Sequence, residues 1–511
     1  MGQGVKCVAA RDLPALKRSF TCKILTHAVQ LDNLRPAPAG NMRPRMQFDD
    51  VAWEESERIE SEWIKSLFEE STLRAIGDFI VKHRRGVPTE MCDPKAGAFN
   101  ALFRMKFQDG GSAVIRFPKP GITMFPEEKV RNEVAVMKYI QDHTTIPVPF
   151  ILHWGTKEES PLGLGPFIIM EYINHEMTMG AALNTAGRST EERLLLDPDI
   201  DTAKLEMLYR QVANVLLQLH TLKLPDIPAI GSLRQTDEFS WDVTHRPLSI
   251  HMNELVRLGT LPRAKLPSAS FKSSSDYFRS LSRLHLEHLT WQRNDAIDSK
   301  TDCQRKYVAR YLFQKLIIEE RLLPTRQNNN GPFKIWCDDL RPSNILLDAN
   351  LQIVGVIDWE FAYAAPAEFS SAPPWWLLLE QPEYWPSGMD EWSSAYETRL
   401  QTFLGALEAC EASAITQGRL QPDKKLSHLM RHSWEQGEFW IVYAARKNFA
   451  FDAIFWEKLD PKFFGPGGSP DDAWRQRLGL LDEQVKDNME SFVEKKVKES
   501  ETRELTWEPD E

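Results

Sequence analysis

Two short apolar runs set the most consequential pattern in this chain. "ILL" (345–347) and "IVGVI" (353–357) read as β-strands, and the polar residues 348–350 between them predict a hairpin. A hairpin holds its two ends together, so Asn344, entering the first strand, should lie beside Asp358, leaving the second. Asp339 precedes Asn344 in a loop stiffened by Pro342. Three oxygen-bearing side chains are thus predicted to converge, which is the hard-ligand chemistry Mg²⁺ requires. Asp and Asn are ordinary turn residues at strand ends. It is their joint order that singles these three out.

The rest of the chain falls into recognisable periods. "AFNALFRMKF" (98–107), the turn 108–111 and "SAVIRF" (112–117) read as a second hairpin, whose alternation puts Val114 and Arg116 on one face and Ala113 and Ile115 on the other. A helix is predicted after Pro126, with Val130, Val134 and Met137 on its apolar stripe. Glu133 falls on that stripe and should be partly buried, which is costly without a partner. Arg116 is the natural one. Glu127, Glu128 and Lys129 read as a solvated first turn. "LGPFIIMEYI" (164–173) reads as a buried strand, and 203–222 as a helix with Leu205, Leu208, Val212, Val215, Leu216 and Leu219 at clean helical spacing. His220 at its end reads as a cap or core residue. His285 and His288 share a helix with Glu287, but no third zinc ligand is evident. Met46 opens a capped amphipathic helix, and the tail from 485 reads as an exposed charged helix with a frayed end.

D-x-x-x-x-N, then a hairpin, then "IDW", is the order of catalytic loop and metal aspartate in kinase-type phosphoryl transfer. On these residues the chain resembles the aminoglycoside phosphotransferase (protein-kinase-like) family, and within it the fungal branch, whose members carry similar "DDLRPSN" and "IDWEF" segments. The resemblance implies an α+β, two-lobed protein-kinase-like fold with a small antiparallel-sheet N-lobe and a large helical C-lobe. The expected divisions are a basic, disordered extension at 1–45, an N-lobe at 46–173, a C-lobe at 174–485 with a helical insertion near 234–330, and a charged tail at 486–511. ATP and Mg²⁺ are the implied cofactors. Val114 would cover the base, and Arg116 would reach the α/β-phosphates while paired with Glu133. The backbone of Glu171 to Ile173 would meet the adenine edge, with Ile168 and Met170 lining the pocket. Asp339 would orient and deprotonate the acceptor hydroxyl, and Asn344 and Asp358 would hold Mg²⁺. The departures from the family pattern are plain. Gly97 is the only glycine where a phosphate-covering loop is expected, Arg116 stands where Lys is usual, and Cys337 stands where a His braces the loop. Asp338 is a second carboxylate, expected to brace the loop and the runner-up for the base.

Composition narrows the function further. The 511 residues are 42% hydrophobic and 26% charged, typical of a globular protein, with no run near the length of a membrane span. A net charge of −11 argues against nucleic acid or an anionic membrane as partner. Six scattered cysteines read as reduced thiols. The first 45 residues carry eight Lys/Arg against two Asp/Glu. A cytoplasmic location is expected, with a mitochondrial transit segment as the alternative. Lys6 removes a myristoylation signal at Gly2. After Asp358 the chain is rich in tryptophan, and Glu360, Glu368, Glu380, Glu383, Asp390 and Glu391 make it acidic. That would suit an amine-bearing alcohol. The expected activity is transfer of the γ-phosphoryl group of ATP to a hydroxyl of a small molecule. The alternative is a nucleotide-binding pseudoenzyme that serves as a protein-interaction scaffold.

Overall fold

The computed structural model describes residues 46–188, 192–224, 229–237, 240–257, 261–322, 329–467 and 470–505, with the side chains of 470 and 471 left aside. The readings of residues 1–45 as a basic extension or transit segment lie outside the described residues. Two helices come first, α1 (Asp50–Leu67) and α2 (Glu70–Arg84). Asp49 caps α1 by accepting from the Ala52 N–H at 3.0 Å, which satisfies one of the donors a helix start leaves open.

An antiparallel sheet follows, made of β1 (Pro88–Met91), β2 (Lys95–Ala96), β3 (Asn100–Phe107), β4 (Ser112–Pro118), β5 (Ile151–Gly155) and β6 (Phe167–Glu171). The strand order is β1-β3-β4-β6-β5, with β2 paired to β3. Helix α3 (Pro126–His143) connects β4 to β5. Every residue of β4 is buried, because the two faces of its strand meet different partners. Ile115 and Phe117 pack with Ile76 and Ile80 of α2, whereas Val114 packs with Val130 and Val134 of α3 and with Ile168 and Met170 of β6. The predicted alternation of β4 is therefore observed, and it aims Arg116 at α3.

Beyond β6 the chain is mostly helical. Thr202–Thr221 and Met389–Thr416 pack against each other within the largest apolar cluster, which also holds most of the tryptophans. The predicted hairpin is present: Ile345 pairs with Val356 and Leu346 with Gly355, and Met177–Thr178 adds a third strand. Lys334–Cys337 pairs with Ala362–Ala365. The result is the expected α+β, two-lobed protein-kinase-like fold. Among the described residues no helix is long and apolar enough to cross a membrane.

Two readings need correction, those of the tail helix and of Lys129, and one contact at Met46 is unexpected. The tail helix Glu483–Ser500 is anchored rather than frayed, since Val493 and Lys496 are buried, and the Lys496 ammonium donates to the carbonyls of Thr290 and Gln292. Met46 is 2% exposed and sits among Leu289, Ile297, Tyr307 and Val493, so the first described residues pack on the helical part of the molecule. Lys129 does not lie in a solvated turn. It is buried, and its partner belongs to the candidate site.

Candidate active site

The site is built where β4, α3 and two loops meet. Arg116 ion-pairs with Glu133 of α3 and, at 2.6 Å, with Oδ1 of Asp358. Arg116 and Glu133 are buried, while the Asp358 side chain keeps 31% of its exposure. The predicted Arg116–Glu133 pair thus exists, and it extends to the aspartate after the hairpin. Burial works against the Arg116 charge, but Glu133, Asp358 and Glu360 outweigh it and hold the guanidinium above its usual range. At Asp358 burial dominates, and Glu360, Glu133 and Asp339 add to it, so its carboxyl titrates higher than usual despite Arg116. The backbone of Asp358 is also held at φ +58°, and that of Phe361 at +56°, a region L-residues rarely adopt.

A second buried pair stands behind the first. Lys129 of α3 ion-pairs with Glu360 and donates to Asn100 Oδ1 at 2.8 Å, while Asn100 Nδ2 donates to Glu360 at 2.8 Å. Burial raises the Glu360 carboxyl, but Lys129 and Arg116 pull it below its ordinary value. Glu360 therefore belongs to an internal network and not to an acidic substrate wall. Sequence reasoning missed Lys129 and Asn100. The available signal was helical spacing, because Lys129 and Glu133 are four apart and share a face.

Asp339 lies on the loop after Lys334–Cys337. Its Oδ1 is 2.9 Å from Arg341 Nε, and its Oδ2 accepts from Asn344 Nδ2 at 2.8 Å. Asn344 Nδ2 also donates to the Asp339 carbonyl, and the Asn344 carbonyl accepts from the Ile357 N–H at 2.9 Å. The hairpin therefore does bring Asp339, Asn344 and the turn to Asp358 together. Burial raises the Asp339 carboxyl, against the opposing pull of Arg341. Asp338 points elsewhere: it accepts from the Ile250 N–H at 3.1 Å and from Trp336 Nε1 at 2.7 Å, and it lies 3.5 Å from Arg446. It ties the loop to neighbouring helices, as a brace does. Cys337 is buried, and its thiol faces the carbonyls of Asp358 at 3.7 Å and Glu360 at 3.5 Å. It spans the same two loops, with burial pushing its thiol well above the usual range.

Both metal candidates offer a free oxygen. Among the described residues no hydrogen bond engages Asn344 Oδ1 or Asp358 Oδ2, and no three His, Cys, Asp or Glu side chains form a metal cage. Two hard donors without a cage fit Mg²⁺, which keeps most of its sphere for water and phosphate.

On the nucleotide side, Val114 lies opposite Met170 and Arg116 opposite Ile168 in the β4–β6 register. The Glu171 N–H donates to the Phe150 carbonyl and the Tyr172 N–H to the Ser112 carbonyl, both at the end of the sheet. Ile173 packs against Gly355 of the hairpin, so closely that a Cβ there would lie 2.7 Å from Ile173 Cδ1. That contact locks the connector to the loop of Asp358. His285 and His288, by contrast, are buried with their rings against Phe451 and Phe449. His220 is held by burial at a pKa of about 4.

A cavity of about 570 Å³ runs along the loop of Asp339. Arg341, Pro342 and Ser343 of that loop line it, together with Ala98 from the loop before β3 and with Phe48, Trp375 and Tyr384. Its residues span Met46 to Ala450, which is why periodicity could not assemble it.

The sequence model of the phosphotransferase enzyme family matches residues 94–372, more than half of the chain. A subtelomeric hrmA-associated cluster protein of Aspergillus fumigatus is 26% identical over 145 residues, which is 28% of this chain and 25% of that one. Clavilactone A biosynthesis cluster protein Y of Ampulloclitocybe clavipes is 26% identical over 294 residues, covering 55% of this chain and 62% of the relative. The chain thus matches less than two thirds of either relative's length. Among solved structures, an ethanolamine kinase of Plasmodium vivax aligns over 89% of this chain and 98% of its own at 13% identity, with a TM-score of 0.39. An aminoglycoside phosphotransferase, APH(4)-Ia, in a ternary complex with AMP-PNP and hygromycin B, aligns over 75% and 99% at 14% identity, with a TM-score of 0.38. By the match across residues 94–372, this chain belongs to the phosphotransferase enzyme family.

Proposed function

We propose that this protein transfers the γ-phosphoryl group of ATP to a hydroxyl of a small molecule, in a Mg²⁺-dependent reaction. The observation that carries the reading is the meeting of Asp339, Asn344 and the Arg116-paired Asp358 beside a cavity large enough for a drug-sized acceptor. Asp339 orients the acceptor hydroxyl and takes its proton, with Arg341 and Asn344 fixing its two oxygens. Asn344 and Asp358 would hold Mg²⁺, each having a side-chain oxygen that no hydrogen bond takes among the described residues. When bound, that ion supplies charge neutralisation across the transferring phosphates. Arg116, fixed by Glu133, lies at the α/β-phosphate position, and its fork suits phosphate as well as carboxylate. Val114 and Met170 enclose the base from the sheet. In the connector 171–173, the Glu171 carbonyl and the Ile173 N–H meet the adenine edge, since the N–H groups of Glu171 and Tyr172 are held by the sheet. In this reading the 46–173 division supplies Val114, Arg116 and Glu133 to the nucleotide, and the 174–485 division supplies Asp339, Asn344, Asp358 and most of the cavity, which Phe48 and Ala98 reach from the first division. A screen of metabolite extract with purified protein and γ-labelled ATP tests it. Transfer of label to a small molecule supports the reading, and label passing to water alone sinks it.

A further inference from the structure

A kinase-type site covers its phosphates with a glycine-rich loop, and here Gly97 stands alone in that place. Nothing about the position demands a glycine. A Cβ on Gly97 would meet only the Asn100 carbonyl, at 4.0 Å. The Gly97 N–H donates to that carbonyl at 2.8 Å, which closes a tight turn between β2 and β3 with Ala98 and Phe99 at its tip. The N–H groups of Ala98 and Phe99 meet no acceptor among the described residues. Ala98 lines the same cavity as Arg341 and Ser343 of the Asp339 loop. Successive open N–H groups at a turn suit phosphate oxygens.

Contacts to the segment after Asp358 fix this tip. Asn100 Nδ2 donates to Glu360 at 2.8 Å and Asn100 Oδ1 accepts from Lys129 at 2.8 Å, so both ends of the amide are taken. All three side chains are buried. One residue earlier, the Phe99 ring meets the Phe361 ring edge to face, with centroids 5.2 Å apart. The Phe99 carbonyl accepts from the Lys119 N–H at 2.9 Å and from the Thr123 hydroxyl at 3.3 Å, which ties the tip to the end of β4. Glu360 and Phe361 directly follow the turn of Asp358, whose carbonyls Cys337 also holds. The tip, the Asp358 turn and the stem of the Asp339 loop are therefore one connected unit. A flexible lid needs none of these bonds, and a buried amide with donor and acceptor both used is costly to pull open.

We propose that Asn100, helped by Phe99, is a positioning residue for the nucleotide phosphates. It latches the β2–β3 tip to the Glu360–Phe361 turn, so the open N–H groups stand at a fixed distance from Asp358 before nucleotide arrives. Contacts to distant residues thus replace the glycines of a mobile loop. This rests on the phosphotransfer reading of the same site.

Amide exchange and calorimetry on the full chain test the latch. Asn100→Ala is the main variant, because the Lys129–Glu360 ion pair survives it. In nucleotide-free protein the Gly97 amide should exchange at least tenfold faster in the variant. Mg²⁺-ATP affinity should fall about tenfold, the effect of one lost buried hydrogen bond on the phosphate contacts. Affinity for adenosine, which has no phosphate for the tip to meet, should stay within about twofold, whereas a purely structural role would weaken both ligands alike. Phe99→Ala leaves the buried amide intact and should shift exchange and Mg²⁺-ATP affinity in the same directions, by about threefold. Unchanged exchange at Gly97 in Asn100→Ala overturns the proposal, as does an equal loss of Mg²⁺-ATP and adenosine affinity. A wild type that binds adenosine but gains nothing from the phosphates of Mg²⁺-ATP would overturn the phosphate role even with faster exchange in the variant. A wild type that binds Mg²⁺-ATP but transfers no label, with the two variants behaving as expected, upholds the latch, and then the phosphotransfer reading is what fails.

Discussion

The two sides of the cleft are built differently. On the proposed nucleotide and metal side, each candidate residue sits on an element whose own pattern fixes its direction: Arg116 on an alternating strand, Glu133 on a helical stripe, Asn344 and Asp358 at the ends of one hairpin. On the proposed acceptor side, the cavity walls come from residues as far apart as Phe48 and Phe449, whose rings are brought together only by tertiary packing. Local geometry defines the first and tertiary packing the second. A substitution on the nucleotide side should therefore disturb one step of the reaction, whereas one on the acceptor side should disturb recognition across a broad surface.

The largest expected effect falls on Asp339. Asp339→Asn keeps the shape and removes the charge, so turnover should fall about 10²- to 10⁴-fold while Mg²⁺-ATP affinity stays within a few-fold. Asp338→Asn should cost less in turnover and more in thermal stability, because Asp338 ties the loop to Ile250 and Arg446. Steady-state kinetics beside thermal melts separate the two. A greater turnover loss at Asp338 would move the base by one residue.

Next comes the buried pair behind the site. Lys129→Met leaves Glu360 charged and unpaired in the interior, at a cost of about 3–5 kcal/mol in denaturant unfolding. Adding Glu360→Gln should recover most of that loss, since replacing both members of a buried pair is often nearly neutral. Additive losses in the double variant would show that the two residues do not act as a pair.

These two sites also show how far the sequence could be read. Asp339, Asn344 and Asp358 were legible because a hairpin converts sequence order into proximity, and Arg116–Glu133 because strand and helix periods each point a side chain inward. Lys129 is not legible in the sequence, because the first turn of a helix is usually solvated and nothing in the local pattern says that Glu360 and Asn100 close over it. The acceptor walls were illegible for a different reason. Aromatic residues serve cores and clefts alike, and Trp392 is fully buried whereas Trp375 faces the cavity. The local pattern at Met46 shows only the approach to a capped helix, whereas its burial against Leu289 and Val493 ties it to helices far along the chain.

That burial gives a smaller prediction. A chain cut to begin at Met46 would place a charged amino group on a residue that is only 2% exposed. Its melting temperature should fall by several degrees, corresponding to about 1–3 kcal/mol. An unchanged melt would show that the start of α1 contributes little to stability.

The smallest effect is expected at Cys337. Its thiol is buried and hard to ionise, so native protein should leave it unlabelled by iodoacetamide at pH 8. Cys337→Ala should cost about 1 kcal/mol and little turnover. Rapid labelling, or a large loss of turnover in the variant, would make it more than a brace between the loops of Asp339 and Asp358.

The central claim is that Asp358, held by Arg116 and set beside Asn344, forms the metal side of an ATP site. Titration calorimetry of ATP with and without Mg²⁺, on the wild type and on Asp358→Ala, tests it most directly. The wild type should bind ATP more tightly when Mg²⁺ is present, and the variant should lose that enhancement while keeping its fold by circular dichroism. Equal Mg²⁺-ATP affinity in the two proteins would contradict the assignment.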